Sequence, residues 1–275
     1  MKRIDIYGVR YCDIVLYLSR ILQNLRYRVI ICDRSISKTM RSFIPVFEEF
    51  DLNREIFDYA GIGYTYHYTG RRIHGNSGTD HDIPLAMVAE DSGRGAGRFG
   101  RNYDRTEIRP DDCEDYFDMM IVLNDATAAM ADFWDEEYRN RDICLFITDE
   151  YPENVYEMKN ALKAVTRNAE YMDCEQKKAI KEHRFFVVRD YTGTARSIID
   201  DLERQAGASR CFLIPWSKQD RRLEMLAAYN DGFRFVGMSD RLCNLIEELC
   251  DGLDIDTSGS EYRRAFQKAG RGKRI

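Results

Sequence analysis

The chain has 275 residues, 44% of them apolar and 32% charged, enough to bury one large core, and its formal net charge of -6 gives no global attraction to nucleic acid or anionic lipid. No run reaches the 18 or more consecutive apolar residues of a membrane span, and the opening MKRIDIYGVRY alternates like a strand where a signal peptide would be continuously apolar, so a cytoplasmic chain is expected. The eight cysteines are scattered, without a CxxC pair or a companion histidine, which fits buried thiols and implies neither a disulfide framework nor a metal site.

In chain order, RIDIY at 3–7 reads as the first strand, ended by Gly8. A helix from Asp13 to about Arg26 follows, since Ile14, Leu18, Ile21, Leu22 and Leu25 recur on one face and Asp13 can cap its first amides. RVIICD at 28–33 is the second strand, and two strands joined by one such helix are the unit of a parallel sheet. Residues 39–59 suggest one or two short helices with Phe43, Val46, Phe47 and Phe50 on a weak face.

Between Gly61 and Gly100 lie nine of the 18 glycines, read as a mobile surface insertion over about 61–112 with an edge strand or hairpin around Tyr64 to Tyr68. Its GRGAG at 93–97 lacks the strand before and the helix after that a phosphate loop needs, so it is not expected to cradle one.

Regularity returns at FDMMIVLN, 117–124, a continuous apolar run suited to a strand covered on both faces, with helix positions Met130, Phe133 and Trp134 beyond it. DICLFIT at 142–148 is the next strand, followed by a helix entered at Pro152 and carrying Val155, Met158, Leu162 and Val165. RFFVV at 184–188 and CFLI at 211–214 are strands separated by a helix with Ile198, Ile199 and Leu202 on one face, and Ser239 caps a last core helix bearing Leu242, Leu245, Ile246 and Leu249. The pattern predicts an α/β fold, a three-layer, doubly wound and mostly parallel sheet, as one domain over 1–255. A basic tail over 256–275 completes the chain, and its bland reading is a frayed, solvated end.

In such a sheet the turn after the first strand is the usual phosphate site. Here it runs Gly8-Val9-Arg10-Tyr11-Cys12-Asp13-Ile14-Val15. A Walker loop uses glycines to bend amides around the phosphate, a lysine to neutralise it and a hydroxyl to hold magnesium; only Gly8 meets that requirement. Asp13 adds a carboxylate at the helix start, where it repels a phosphate, and Arg10 offsets some of that charge without rebuilding the amide nest.

The opening RIDIYG, the helix ending LQNLRYRVIICD, the strand YFDMMIVLND, the unit DICLFITDEYPENVYEMKNALKAV and the closing CFLIPWSKQDRRLEMLAAYNDGFRFVGMSDRLCNLIEEL together resemble the MinD/ParA group of deviant Walker ATPases, a P-loop NTPase-like fold. Within that group they are most similar to the TadZ/CpaE-like proteins that place pilus assembly machinery. The resemblance implies that Asp33 follows the second strand where the family keeps an acid. It implies that Leu123 stands in place of the Walker B aspartate with Asn124 and Asp125 just beyond, that Arg189 falls at or near the adenine-facing asparagine, and that Pro215 borders the base.

Val9 and Ile14 then replace the family's two lysines, and Val15 or Leu16 its magnesium-binding hydroxyl. The implied protein is a pseudo-ATPase without a cofactor, ATP and magnesium being disfavoured. Gly8, Arg10, Asp13, Asp33, Asp125, Arg189 and Pro215 mark its degenerate nucleotide site, with no catalytic residue and no metal.

The function expected is a non-catalytic scaffold or localisation factor for pilus or secretion machinery. It would act as a homodimer or with an active relative, in the cytoplasm or peripherally at the inner face of the membrane. Two alternatives stand: a nucleotide-binding ATPase with a relocated site, for which the unpartnered His67, His74, His81 and His183 offer nothing, and a DNA-associated partition-type protein. The tail's Arg263, Arg264, Lys268, Arg271, Lys273 and Arg274 would contact DNA, lipid or an acidic surface.

Overall fold

The computed structural model describes residues 1–35, 40, 56–59, 62–65, 86–89, 117–126, 142–169, 183–206, 210–215, 217–218, 239–255 and 259–270. In chain order the elements are β1 (Lys2–Gly8), α1 (Cys12–Asn24), β2 (Val29–Asp33), β3 (Ile56–Tyr59), β4 (Ile62–Thr65), β5 (Ala86–Ala89) and β6 (Met119–Asn124). After these come β7 (Ile143–Asp149), α2 (Pro152–Ala169), β8 (Arg184–Asp190), α3 (Arg196–Ala206), β9 (Cys211–Pro215), α4 (Asp240–Gly252) and α5 (Gly259–Gly270).

The nine strands form one sheet in the order β5-β3-β4-β2-β6-β1-β7-β8-β9. Every pair is parallel except β3 with β4. The central strands read as unbroken apolar runs because both of their faces are covered. Ile4 and Ile6 of β1, Ile121 and Leu123 of β6, Leu145 and Ile147 of β7 and Val187 of β8 join the layer of α1, α4 and α5. The alternate residues Tyr7, Phe146, Phe186 and Val188 meet Met158 and Leu162 of α2 and Leu202 of α3 on the other face. Tyr7, Phe146 and Phe186 stack in sequence across three strands at 5.3 Å between ring centroids. The fold is thus the three-layer, doubly wound α/β architecture anticipated.

Helix α1 forms because Ile14, Leu18, Ile21 and Leu22 repeat at helical spacing and are fully buried, each contributing about 1.5–3 kcal/mol by leaving water. It begins one residue earlier than its sequence suggests. Tyr11 is the N-cap and makes no side-chain capping bond, so Asp13 lies inside the first turn and accepts from Ile14 N at 2.8 Å. Ser239 does cap α4, its Oγ accepting from Leu242 N at 3.4 Å.

Three expectations change. Residues 56–59 are a strand, not part of a helix over 39–59, and they form an antiparallel hairpin with β4 that lies a few residues before the one expected at Tyr64 to Tyr68. The glycine-rich insertion supplies β4, which overlaps the edge strand or hairpin expected there, and also a further strand, β5, at the edge of the sheet. Residues 259–270 are not a frayed end. They fold as α5 on α1, burying Ala265 and seating the stacked pair Tyr262 and Phe266 against the core, with Asn24 Nδ2 donating to Ala265 O at 3.0 Å. GRGAG at 93–97, the helix face of Met130, Phe133 and Trp134, and the tail beyond 270 lie outside the described residues.

No helix among the described residues is long and apolar enough to cross a membrane.

Candidate functional site

The chain leaves β1 through α1 towards β2 on one side, and leaves β7 through α2 on the opposite face towards β8 on the other side. Neighbours that diverge in this way open a crevice beyond their carboxyl ends, where ligands of doubly wound sheets bind. The site therefore lies between the end of β1 and the end of β7.

Gly8 closes β1 with φ 123°, a conformation disfavoured for side-chain-bearing residues, and a Cβ there would sit 1.8 Å from Ile147 O. The close approach lets the next amide, Val9 N, donate to Ile147 O at 3.1 Å. An amide that a phosphate-wrapping turn would direct at its ligand is thus committed to β7. Arg10 follows in the left-handed region, φ 59°.

Two arginines then hold this turn. Arg189, at the carboxyl end of β8, donates through Nη2 to Asp13 Oδ1 and, at 3.1 Å, to the carbonyl of Arg10. Both partners are withdrawn from water, with Asp13 2% and Arg189 5% exposed. The Asp13 carboxylate takes the position that the α1 macrodipole offers to an anion, and Arg189 neutralises it from the far side. Half-exposed Arg10 places Nε 3.5 Å from Asp149 Oδ2 at the end of β7. Asp149 in turn accepts from Tyr151 N at 3.1 Å and Asn154 Nδ2 at 2.7 Å, an Asx turn that starts α2.

On the other flank Asp33 ends β2 and is closed by its own loop. Ser35 donates to its Oδ1 twice, from N at 3.0 Å and from Oγ at 2.6 Å. Buried Tyr11 shares this corner, and its phenol is pushed well above its ordinary range by burial first and by the Asp33 charge second, with the Ser35 hydrogen bond opposing. It stays protonated at neutral pH and is no general base. Leu123, fully buried on the α1 face, presents only hydrocarbon where β6 approaches the turn.

Gly8, Arg10, Asp13 and Arg189 are thus brought together. Asp33 and half-buried Asp125 form a second group around Tyr11, and Pro215 stands exposed at the end of β9, in register with Asp190 and one strand beyond Arg189. Asp149 and Tyr11 complete the site and were not singled out from the sequence. Their signal was Asp149 at the end of an apolar strand run and an aromatic residue immediately before the helix. Among the described residues no group of three or more His, Cys, Asp or Glu side chains is placed to hold a metal ion.

No protein-family profile and no curated protein matches the chain. Among solved structures it is similar to the MinD cell division protein of Aquifex aeolicus, at 9% identity over 94% of this chain and 98% of that one with a TM-score of 0.49. It is similar to apo McdA of Cyanthece, at 12% identity over 96% and 99% with a TM-score of 0.49. A ParA family ATPase of Chlorobium tepidum TLS stands at 11% identity over 98% and 97%, TM-score 0.45. These likenesses to MinD and ParA ATPases concern the course of the chain, and the fold rests on its own strand order and helix layers.

Proposed function

We propose that this chain is a non-catalytic ParA/MinD-like scaffold or localisation factor, of the TadZ/CpaE-like kind that places pilus or secretion machinery, and that it works through the proteins it touches. The observation that carries the reading is the Asp13–Arg189 ion pair at the start of α1. The charge complementarity a triphosphate would supply at that helix end is already satisfied within the chain, and displacing Asp13 would leave a buried carboxylate to repel the ligand.

The residues present do not fit a magnesium-bound nucleotide. No lysine or hydroxyl lies between Gly8 and Leu16 apart from the Tyr11 phenol, Val9 N is engaged with β7, and Leu123 offers no carboxylate towards the turn. Transition-state charge stabilisation would lack its usual groups. On this reading partners are recognised by a constitutive surface, as a homodimer or beside an active relative, in the cytoplasm or peripherally at the membrane.

Calorimetric titration with ATP and magnesium, paired with a turnover assay, tests the proposal. Neither saturable heat nor phosphate release is expected, and size-exclusion light scattering should give the same mass with and without nucleotide. Micromolar binding that Arg189→Met or Asp13→Asn alters would overturn it.

A DNA-associated partition-type role is the second reading, favoured by the exposed basic residues Arg263, Arg264 and Lys268 on the docked helix α5 and Arg26 beside it. It requires duplex affinity that falls steeply as salt rises and that neutralising these side chains removes. Equal weak retention by all variants would dismiss it.

A further inference from the structure

At the amino-terminal edge of the sheet, opposite the crevice, a row of side chains in register crosses three strands: Asp5 of β1, Cys144 of β7 and Arg184 of β8. Alternation places all three on the face covered by α2 and α3, since Tyr7, Phe146 and Phe186, two residues further along each strand, lie there. Asp5 is fully buried and already paired, its Oδ2 3.0 Å from Arg3 Nε and its Oδ1 3.3 Å from Arg3 Nη2.

Arg184 is 5% exposed, and its Nε and Nη2 are buried atoms with no hydrogen-bond partner among the described residues. The preceding residue repeats the deficit, for His183 Nδ1 is also buried without a hydrogen-bond partner among the described residues. Asp5 does not close the pair. It stands two strand spacings away, roughly 9–10 Å between backbones, with Cys144 between and with Arg3 already on its carboxylate. With Arg3 on the Asp5 carboxylate, no carboxylate of the row is left for Arg184 among the described residues.

A guanidinium cannot shed its proton, and an uncompensated charge in the interior is strongly unfavourable. We propose that Arg184 anchors an oxyanion-binding site at the amino ends of β7 and β8, distinct from the switch-point crevice. Its planar fork selects a ligand with two adjacent acceptor oxygens, the chemistry shared by carboxylates and phosphates, over a monatomic anion.

Thermal unfolding of the full chain in chloride buffer, with sodium phosphate or sodium acetate added at matched ionic strength, tests the site. Wild type should gain about 2–4 °C with saturation by at least one of the two anions, and which of them saturates identifies the source. Arg184→Met should melt higher than wild type in chloride alone, because the uncompensated charge is gone, and should lose the saturable gain. Arg184→Lys, which keeps the charge and loses the fork, should need about tenfold more anion.

The proposal fails if wild type shows no saturable response, or if Arg184→Met responds as wild type does. It fails equally if Arg184→Met melts lower in chloride, the mark of a guanidinium already paired within the chain. Should Arg184→Met not fold, the Arg184→Lys titration decides alone, an unchanged midpoint counting against the site.

Discussion

Arg189 reaches from the carboxyl end of β8 across β7 to Asp13 in the first turn of α1, tying together two elements 176 residues apart through a buried ion pair. Breaking one side leaves the other charge uncompensated. Arg189→Met is expected to cost about 3–5 kcal/mol in urea unfolding, whereas Arg189→Met combined with Asp13→Leu should recover most of that loss. If the double variant is no more stable than Arg189→Met alone, the pair is not the element that holds this turn.

The turn also depends on Gly8. A Cβ would meet Ile147 O at 1.8 Å while the backbone holds φ 123°, so Gly8→Ala should lose about 3 kcal/mol or more. Unfolding midpoints check this directly, and a nearly neutral substitution would show that the β1–β7 approach is adjustable.

Helix α5 shields a thiol. Burial raises the Cys250 thiol to about 12, so at pH 8 it is almost wholly protonated and should alkylate slowly in the native protein. A chain ending at 258 loses Tyr262, Ala265 and Phe266 from the core. It should be less stable by about 3–5 kcal/mol and label at Cys250 at least about tenfold faster, read by peptide mass mapping after iodoacetamide.

Arg28 and Asp118 join the starts of β2 and β6 by a two-pronged contact, with Arg28 Nη2 2.8 Å from Asp118 Oδ1 and Arg28 Nε 3.1 Å from Oδ2. The hydrogen bond from Arg28 holds the Asp118 carboxyl below its usual range. A depressed acid contributes stability above its unfolded pKa and loses it as pH falls through the folded value. Because both side chains are partly exposed, the contribution is at most about 1 kcal/mol. Asp118→Asn should therefore be less stable than wild type at pH 7, and the gap should close as pH falls below the ordinary carboxylate range and through the lowered folded value. A gap of the same size at low pH would assign the effect to something other than the charge.

Much of the fold was legible because central parallel strands are covered on both faces and so appear as unbroken apolar runs, as in MMIVLN and ICLFITD. The boundaries of α2, α3 and α4 followed from Pro152, the spacing of Ile198, Ile199 and Leu202, and the cap Ser239. The hairpin of β3 and β4 was legible only in part, since the edge strand or hairpin expected around Tyr64 to Tyr68 overlaps β4 while β3 at Ile56–Tyr59 was read as helix. Its two strands are four residues each, too short for either periodicity to be distinguished, and they are stabilised by sheet pairing, β4 with β2 and β3 with β4 and β5, rather than by their own pattern. The docked α5 was obscured by its charge. Six basic residues in the last fifteen suggest a solvated end, while only Tyr262, Ala265 and Phe266 reveal the apolar side.

The sequence by itself determined the doubly wound sheet and the residue types of its first turn, since strand periodicity and residue identity are local properties. Only the tertiary structure decided what fills that place. Arg189 and Asp13, like Arg10 and Asp149, are distant in the chain and meet because strand order brings the ends of β1, β7 and β8 together, and the strength of a buried ion pair depends on that proximity and on the exclusion of water around it.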